Sequence, residues 1–126
     1  MKTTLREERL ANGLRIIFTD ESNRYFGDYH RVCVVATILC RPADLPADDD
    51  DAAALRRRAI ESFGEQLSVT RRFERMAVPG ADVDAVRSAL VDDFLRNAAA
   101  YLARPGYPRA LVEAELRKVR TQRFYG

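Results

Sequence analysis

The amino-acid sequence predicts an α+β fold: a four-stranded, mainly antiparallel sheet with helices packed on one face, in the order β-β-β-α-β-α-α along the chain. Three observations predict this fold. Apolar and polar residues alternate near the start, an Asn-Gly pair separates two such segments, and apolar residues recur at helical spacing later. At 126 residues, the chain is expected to form a single α+β domain, residues 1–126, with a core of its own.

Two short strands and a loop are predicted at the start of the chain. Residues 3–10 are rich in charge and suit an exposed edge strand. Asn12-Gly13 favours a type I′ hairpin turn, since both residues tolerate a positive φ. Residues 14–19 alternate apolar and polar, which predicts a half-buried strand, and residues 20–28 are predicted to form a loop.

The third predicted strand, residues 29–40, is the most apolar segment of the chain. Both of its alternating faces are apolar, which favours a central position in the sheet. Arg41-Pro42 ends it, and a linker rich in Pro, Ala and Asp follows over residues 42–51. The sequence leaves open whether this strand pairs in parallel or antiparallel with the next one.

The second half of the chain predicts three helices and one strand. A helix over residues 52–66 follows a run of aspartates that favours its N-terminal dipole, and residues 67–78 are predicted to form a strand. Asp82 is a good N-cap for a helix over residues 83–103. Pro108 suits the first turn of a last helix over residues 108–122.

Composition predicts an ordinary globular protein. The mean hydropathy is −0.33, and no apolar run approaches the roughly 20 residues of a membrane span. The first residues lack the apolar stretch of a signal peptide, so we expect a cytoplasmic protein without a membrane partner. Cys33 and Cys40 lie seven residues apart on one predicted strand, hence about 23 Å apart and on opposite faces, which predicts two free buried thiols.

Charge is unevenly distributed along the chain. Residues 43–66 carry seven acidic and three basic residues, a net charge of −4, and residues 97–126 carry six basic and two acidic residues, a net charge of +4. The basic segment permits a weak nucleic-acid-binding hypothesis, although no nucleic-acid-binding motif is present. The residues of that hypothesis are Arg109, Arg117, Lys118, Arg120 and Arg123, with Phe124 and Tyr125 available for stacking.

The run of residues 24–31 is the best candidate for a functional surface. It joins aromatic, acidic and basic side chains with the only histidine of the chain, directly before the central strand. Aromatic residues and arginine are enriched at protein interfaces. Our first hypothesis is therefore a non-enzymatic domain that binds a protein partner or itself through Tyr25, Phe26, Tyr29 and Arg31.

A second hypothesis is a small-molecule or enzymatic site. It combines Asp28 and His30 with one or more of Arg71, Arg72 and Arg75, and it requires those side chains to meet in one pocket. No catalytic, metal or cofactor motif supports it, so no metal or cofactor is predicted. A hydrogen-bonded histidine at the rim of the core is the simpler interpretation of His30.

Two resemblances accompany these hypotheses. Residues 24–33, 71–76 and 92–95 resemble segments of small uncharacterised bacterial proteins in which a similar loop precedes a long strand. That resemblance implies domain boundaries and no activity. The spacing of Arg71 and Arg75 fits the RxxxR element of PilZ domains, but the D/N-x-S-x-x-G element does not follow it. A strand whose basic side chains cover apolar surface with their stems is the interpretation we favour.

Overall fold

A computed structural model describes the backbone of residues 3–125 and the side chains of residues 3–120. This part of the chain has the predicted α+β fold, with one antiparallel sheet and three helices. None of these helices is long and apolar enough to cross a membrane. The elements are β1 (Thr3–Arg9), β2 (Arg15–Asp20), β3 (Asn23–Phe26), β4 (Tyr29–Cys40), α1 (Asp50–Phe63), β5 (Leu67–Pro79), α2 (Val83–Leu102) and α3 (Tyr107–Tyr125).

Strand β4 is the centre of the sheet, and every strand pairing is antiparallel. Strand β5 pairs with β4 along the whole length of β4, from Tyr29 to Cys40. Strands β2 and β3 therefore share the other edge of β4, with β2 opposite residues 34–39 and β3 opposite residues 29–31. Strand β1 pairs with β2 at the outside. The pairing of β4 with β5, which the sequence left open, is thus antiparallel.

The predicted loop over residues 20–28 is largely a strand, and this corrects the predicted count of four strands to five. Chain direction does not reverse at Ser22. The side chain of Asp20 accepts a hydrogen bond from the Ser22 backbone N–H at 2.9 Å, and β3 then continues beside β4. The reversal occurs instead at Gly27-Asp28, where Gly27 adopts a φ of 54° that suits a tight hairpin.

The first hairpin turn also differs from the predicted type I′ geometry. Only Gly13 has a positive φ, of 90°, and its N–H donates to the carbonyl of Leu10 at 3.0 Å. This arrangement is typical of a three-residue loop. The Asn12 side chain has another role: its Nδ2 donates to the carbonyls of Leu102 and Arg104 at 2.6 and 2.9 Å. Asn12 thereby fastens the hairpin to the end of α2.

The core lies between one face of the sheet and the helices. Strand residues of that face, including Ile16, Phe18 and Val34, are buried together with Leu90 of α2 and Val112 of α3. The helices therefore pack on one face, as predicted. The opposite face also holds three buried apolar residues outside this core: Cys33, Val35 and Leu39.

Capping residues set the ends of the helices, which differ from the predicted bounds by a few residues. Asp49 caps α1 by accepting the Ala52 N–H at 2.7 Å, and α1 ends at Phe63 because Gly64 takes a φ of 69°. Asp82 is the N-cap residue of α2, as predicted, but its side chain makes no capping bond, and Gly80–Asp82 form a single turn of 3-10 helix before α2.

Replacing Asp20 should reduce stability mainly above acidic pH. Burial raises the pKa of Asp20, but hydrogen bonds from Ser22 and the guanidinium of Arg87, 2.7 Å away, outweigh it and hold the pKa below 3.8. This stability is present above pH 3.8 and is lost as pH falls through the lowered pKa. We expect Asp20→Asn to destabilise the fold by up to about 1 kcal/mol at pH 7, measured by urea denaturation.

The difference between Asp20→Asn and the original protein should shrink when the denaturation is repeated at acidic pH. Asp84→Asn is the matched control, because Asp84 also pairs with Arg87 but its side chain is 88% exposed. It should change stability less than Asp20→Asn. A loss for Asp20→Asn that is the same at every pH would contradict the electrostatic explanation.

Candidate functional site

The β3–β4 hairpin ends one side of the sheet, and its tip is held in place. Phe26 pairs with Tyr29 across the turn, and Tyr29 pairs with Pro79 on β5. The Gly80 N–H donates to the backbone carbonyl of Asp28 at 3.0 Å and to its carboxylate at 3.2 Å. A methyl group at Gly80 would overlap that carboxylate, so a larger residue at this position would require the Asp28 side chain to move. Asp28 is therefore a structural acceptor that ties the hairpin to the segment after β5.

Four large apolar side chains are exposed at this end of the sheet, and we call them the hairpin patch: Tyr25, Phe26, Tyr29 and Met76. Phe26 is 74% exposed, Met76 is 58% exposed, and the two tyrosines are about half exposed. Among the described residues, only Ile60 and Tyr101 are other large apolar side chains with comparable exposure. Such clusters on a protein surface mark interaction sites more often than single exposed residues do.

Met76 belongs to the patch because β5 contains a bulge. His30 pairs with Val78 and Val32 pairs with Arg75, so two residues of β5 oppose one residue of β4. Ala77, in the bulge, has a φ of 55°, which is costly for a residue with a side chain. Sequence reasoning missed Met76; the blurred alternation after Phe73 was the only signal of the bulge.

The face of the sheet opposite the helices, which we call the open face, carries a hydrogen-bonded network around Cys33. Arg72 Nη1 lies 3.3 Å from the Cys33 sulfur and 3.2 Å from a Glu21 carboxylate oxygen. Arg31 pairs with Glu74 and donates to the Asn23 side chain at 3.2 Å. The bond to Glu74 is the main cause that raises the pKa of Arg31. These charged groups shield the apolar residues beneath them.

Arg71 and Arg75 lie on the helix side of β5, opposite to Arg72, as the alternation predicted. Their guanidinium groups donate to the carbonyls of Thr70 and Glu74 at 3.0 and 2.9 Å. The N–H and carbonyl of Cys33 bond to Ser22 and Glu21, so both groups point away from β5. Cys33 and Glu74 are therefore a pair without mutual hydrogen bonds, and the Glu74 carbonyl points away from β4. Both arginines thus cover carbonyls on the free edge of β5, as charged residues commonly do at sheet edges.

The predicted small-molecule site is only partly brought together: Arg71 and Arg75 share the helix side of the sheet with His30, but their guanidinium groups turn to the free edge of β5. His30 shares the helix-side face of β4 with Val32, Asp28 is engaged with Gly80, and Arg72 lies on the opposite face. The cavities found are lined by other residues. In the part of the chain that the structure describes, no cluster of three histidine, cysteine or carboxylate side chains could hold a metal ion.

One cavity that sequence reasoning did not foresee lies where three chain segments meet. It measures about 240 Å³ and is bordered by the turn at Asn12, the end of β4 at Cys40, and the loop before α3 at Pro105. Burial, with the nearby Asp44 carboxylate, raises the pKa of Cys40 to about 11. Its thiol therefore stays protonated at neutral pH and is a poor nucleophile. Cys33 and Cys40 are both buried and free, as predicted.

Replacing Ala77 by glycine should stabilise the protein. A left-handed conformation costs an L residue roughly 1–2 kcal/mol, and glycine avoids that cost at the expense of some unfolded-state entropy. We expect Ala77→Gly to raise the free energy of unfolding by about 0.5–1 kcal/mol in urea denaturation. Ala85→Gly, at an exposed position of α2, is the control and should lower it by about 1 kcal/mol. A loss of stability in Ala77→Gly would show that the bulge is not strained.

Removing the Ser22 hydroxyl should weaken the junction of β2 and β3. Ser22 Oγ accepts the buried Cys33 N–H at 2.9 Å, at the point where the ladder to β2 is interrupted. Ser22→Ala leaves that N–H without its acceptor, which costs about 1–3 kcal/mol. Urea denaturation measures the loss. Ser68→Ala, at an exposed residue of β5, is the control and should be close to neutral.

Similarity to other proteins does not add to this description. No family model matches the chain, and neither a curated protein nor a solved structure shows significant similarity to it. The resemblance of residues 24–33 to small bacterial proteins thus stays a prediction.

Proposed function

We propose that this protein is a non-enzymatic interaction domain that binds another polypeptide, a partner protein or a second copy of itself, through the hairpin patch. The observation that carries the proposal is the exposure of Tyr25, Phe26, Tyr29 and Met76 at one end of the sheet. Aromatic residues and methionine are enriched at interfaces, where they bury large areas at modest entropic cost.

The backbone near the patch supports the same proposal. Strand β3 pairs with β4 on one side, and no strand in the described part of the chain pairs with its other edge. An unpaired edge can accept a further strand, and main-chain hydrogen bonds then add to the apolar contacts. The long free edge of β5 suits this purpose less well, because Arg71 and Arg75 occupy two of its carbonyls.

The rigidity of the hairpin end also favours recognition. The tip is tied by the Asp28–Gly80 hydrogen bonds, and Arg31 is fixed by Glu74 and Asn23. A preformed surface loses less conformational entropy on binding than a mobile loop does. Of the four residues first assigned to the interface, Arg31 therefore acts as a positioned rim residue, and the exposed aromatic side chains supply the contact.

An enzymatic role has less support. His30 shares a face of the sheet with Arg71 and Arg75, but both arginines bond to backbone carbonyls of β5. Asp28 is engaged with Gly80, and Arg72 on the opposite face is engaged with Cys33 and Glu21. The proposal includes the cytoplasmic location expected from the sequence. Two free buried thiols support it, since reducing compartments keep cysteines unpaired.

The double variant Tyr25→Ala/Phe26→Ala should lose association and keep the fold. Light scattering after size exclusion, at low and moderate salt, measures self-association; capture from native lysate measures binding of a partner. Loss of two exposed aromatic anchors at an interface is expected to weaken binding at least about tenfold. Because both side chains are exposed, the free energy of unfolding should change by less than about 0.5 kcal/mol.

Ile60→Ala is the matched control, because Ile60 is an exposed apolar residue of α1, outside the patch. It should leave association unchanged. If the double variant assembles and binds as the original protein does, the hairpin patch is not the interface. A protein that is monomeric and captures nothing before any substitution would also contradict the proposal.

A further inference from the structure

A groove between α1 and α3 contains two adjacent cavities of about 170 and 280 Å³. The cavities share three lining residues, Arg58, Leu116 and Arg120, so they form one continuous groove. Leu55, Glu61, Ser62, Glu113, Arg117 and Val119 complete its lining. This groove has no part in the hairpin patch, since its lining comes entirely from the two helices.

Each helix presents one face to the groove. Leu55 and Arg58 are one turn apart on α1, and Leu116, Val119 and Arg120 follow the spacing of one face on α3. Each helix thus contributes an aliphatic side chain and an arginine to the lining of the same space. The sequence separates the two arginines by more than sixty residues, and only helix packing brings them together.

The two arginines that border both cavities are not neutralised by any described side chain. Neither Arg58 nor Arg120 forms an ion pair with any side chain that the structure describes. Glu113, one of the two acids in the lining, is already paired with Arg109 at 2.9 Å. Glu61 is the other acid. Arg58 and Arg120 therefore border a space in which Glu61 is the one acid without an ion pair among the described side chains.

The helix dipoles do not account for this convergence. The partial negative charge at a helix C-terminus favours cations within the last turn. Arg58 lies five residues before the end of α1, and Arg120 lies five residues before the end of α3. Bringing like charges together costs free energy, and a bound anion removes that cost. Arginine is also suited to phosphate because its donors match phosphate oxygens in pairs.

We infer that this groove binds an organic phosphate, with the phosphate group between Arg58 and Arg120 and an apolar moiety against Leu116. Ser62, which lines the larger cavity with both arginines, supplies a hydroxyl donor. A nucleic-acid strand fits the groove less well, because none of the described side chains that line it is aromatic and could stack on a base. Lys118, assigned to nucleic acid in the sequence, pairs with Glu115 at 2.7 Å.

Titration with phenyl phosphate tests the inference, with amide chemical shifts in NMR as the readout and the ionic strength held constant. The shifts should concentrate around residues 55–62 and 116–120. Phenyl phosphate should bind more tightly than inorganic phosphate or phenol, because it satisfies both the arginines and the aliphatic wall. Arg58→Gln and Arg120→Gln should each weaken binding about tenfold, the effect of one lost charge-assisted contact.

Arg57→Gln is the matched control, because it removes the same charge from the next position of α1, outside the lining of the groove. It should change the affinity by less than about twofold. Circular dichroism checks that each variant is folded. Equal effects of Arg57→Gln and Arg58→Gln, or no shifts in the groove, would overturn the inference. So would binding of a single-stranded oligonucleotide at these residues without binding of phenyl phosphate. The hairpin variants leave the groove intact, so the two proposals fail independently.

Discussion

The complete pairing of β4 is the constraint on which the rest of the structure depends. This strand is bonded along both edges, by β2 and β3 on one side and β5 on the other. Buried backbone groups need hydrogen-bond partners, so a strand with two apolar faces is stable only at the centre of a sheet. Between the end of β2 and the start of β3, the Ser22 hydroxyl accepts the N–H of Cys33 on β4. On the other edge of β4, the bulge accommodates one extra residue of β5 near the β3–β4 hairpin.

Charge on the open face protects this strand from solvent. Cys33, Val35 and Leu39 are buried although no helix covers them, since they lie outside the core formed with the helices. The long side chains of Arg31 and Arg72 lie over this face; Arg31 pairs with Glu74 of β5, and Arg72 pairs with Glu21, which lies between β2 and β3. Arg31 and Arg72, which the sequence suggests as binding residues, thus stabilise the sheet. The exposed aromatic side chains of the hairpin patch have no comparable structural role.

The basic residues of the helices also differ in whether a described acid pairs with them. Arg109 pairs with Glu113, and the aspartates at the start of α1 add to its electrostatic stabilisation. The acidic and basic segments of the sequence therefore partly neutralise each other in the fold. Arg58 and Arg120 have no such partner among the described side chains. The groove between α1 and α3 is therefore a better candidate for an anion site than the run of basic residues in α3 as a whole. The side chains of Arg123, Phe124 and Tyr125 lie outside the described residues.

The sequence by itself determined the fold class, the bounds of β4, the two free thiols and the faces of β5, because hydrophobic periodicity and the geometry of a strand are local properties. It also located the exposed aromatic run, although it predicted a loop where β3 pairs with β4. Tertiary structure decided the exposure of Met76, the separation of His30 from Arg72 and the meeting of Arg58 with Arg120. These features depend on a bulge, on which face of a strand is covered and on helix packing, and each arises from contacts between residues far apart in the chain.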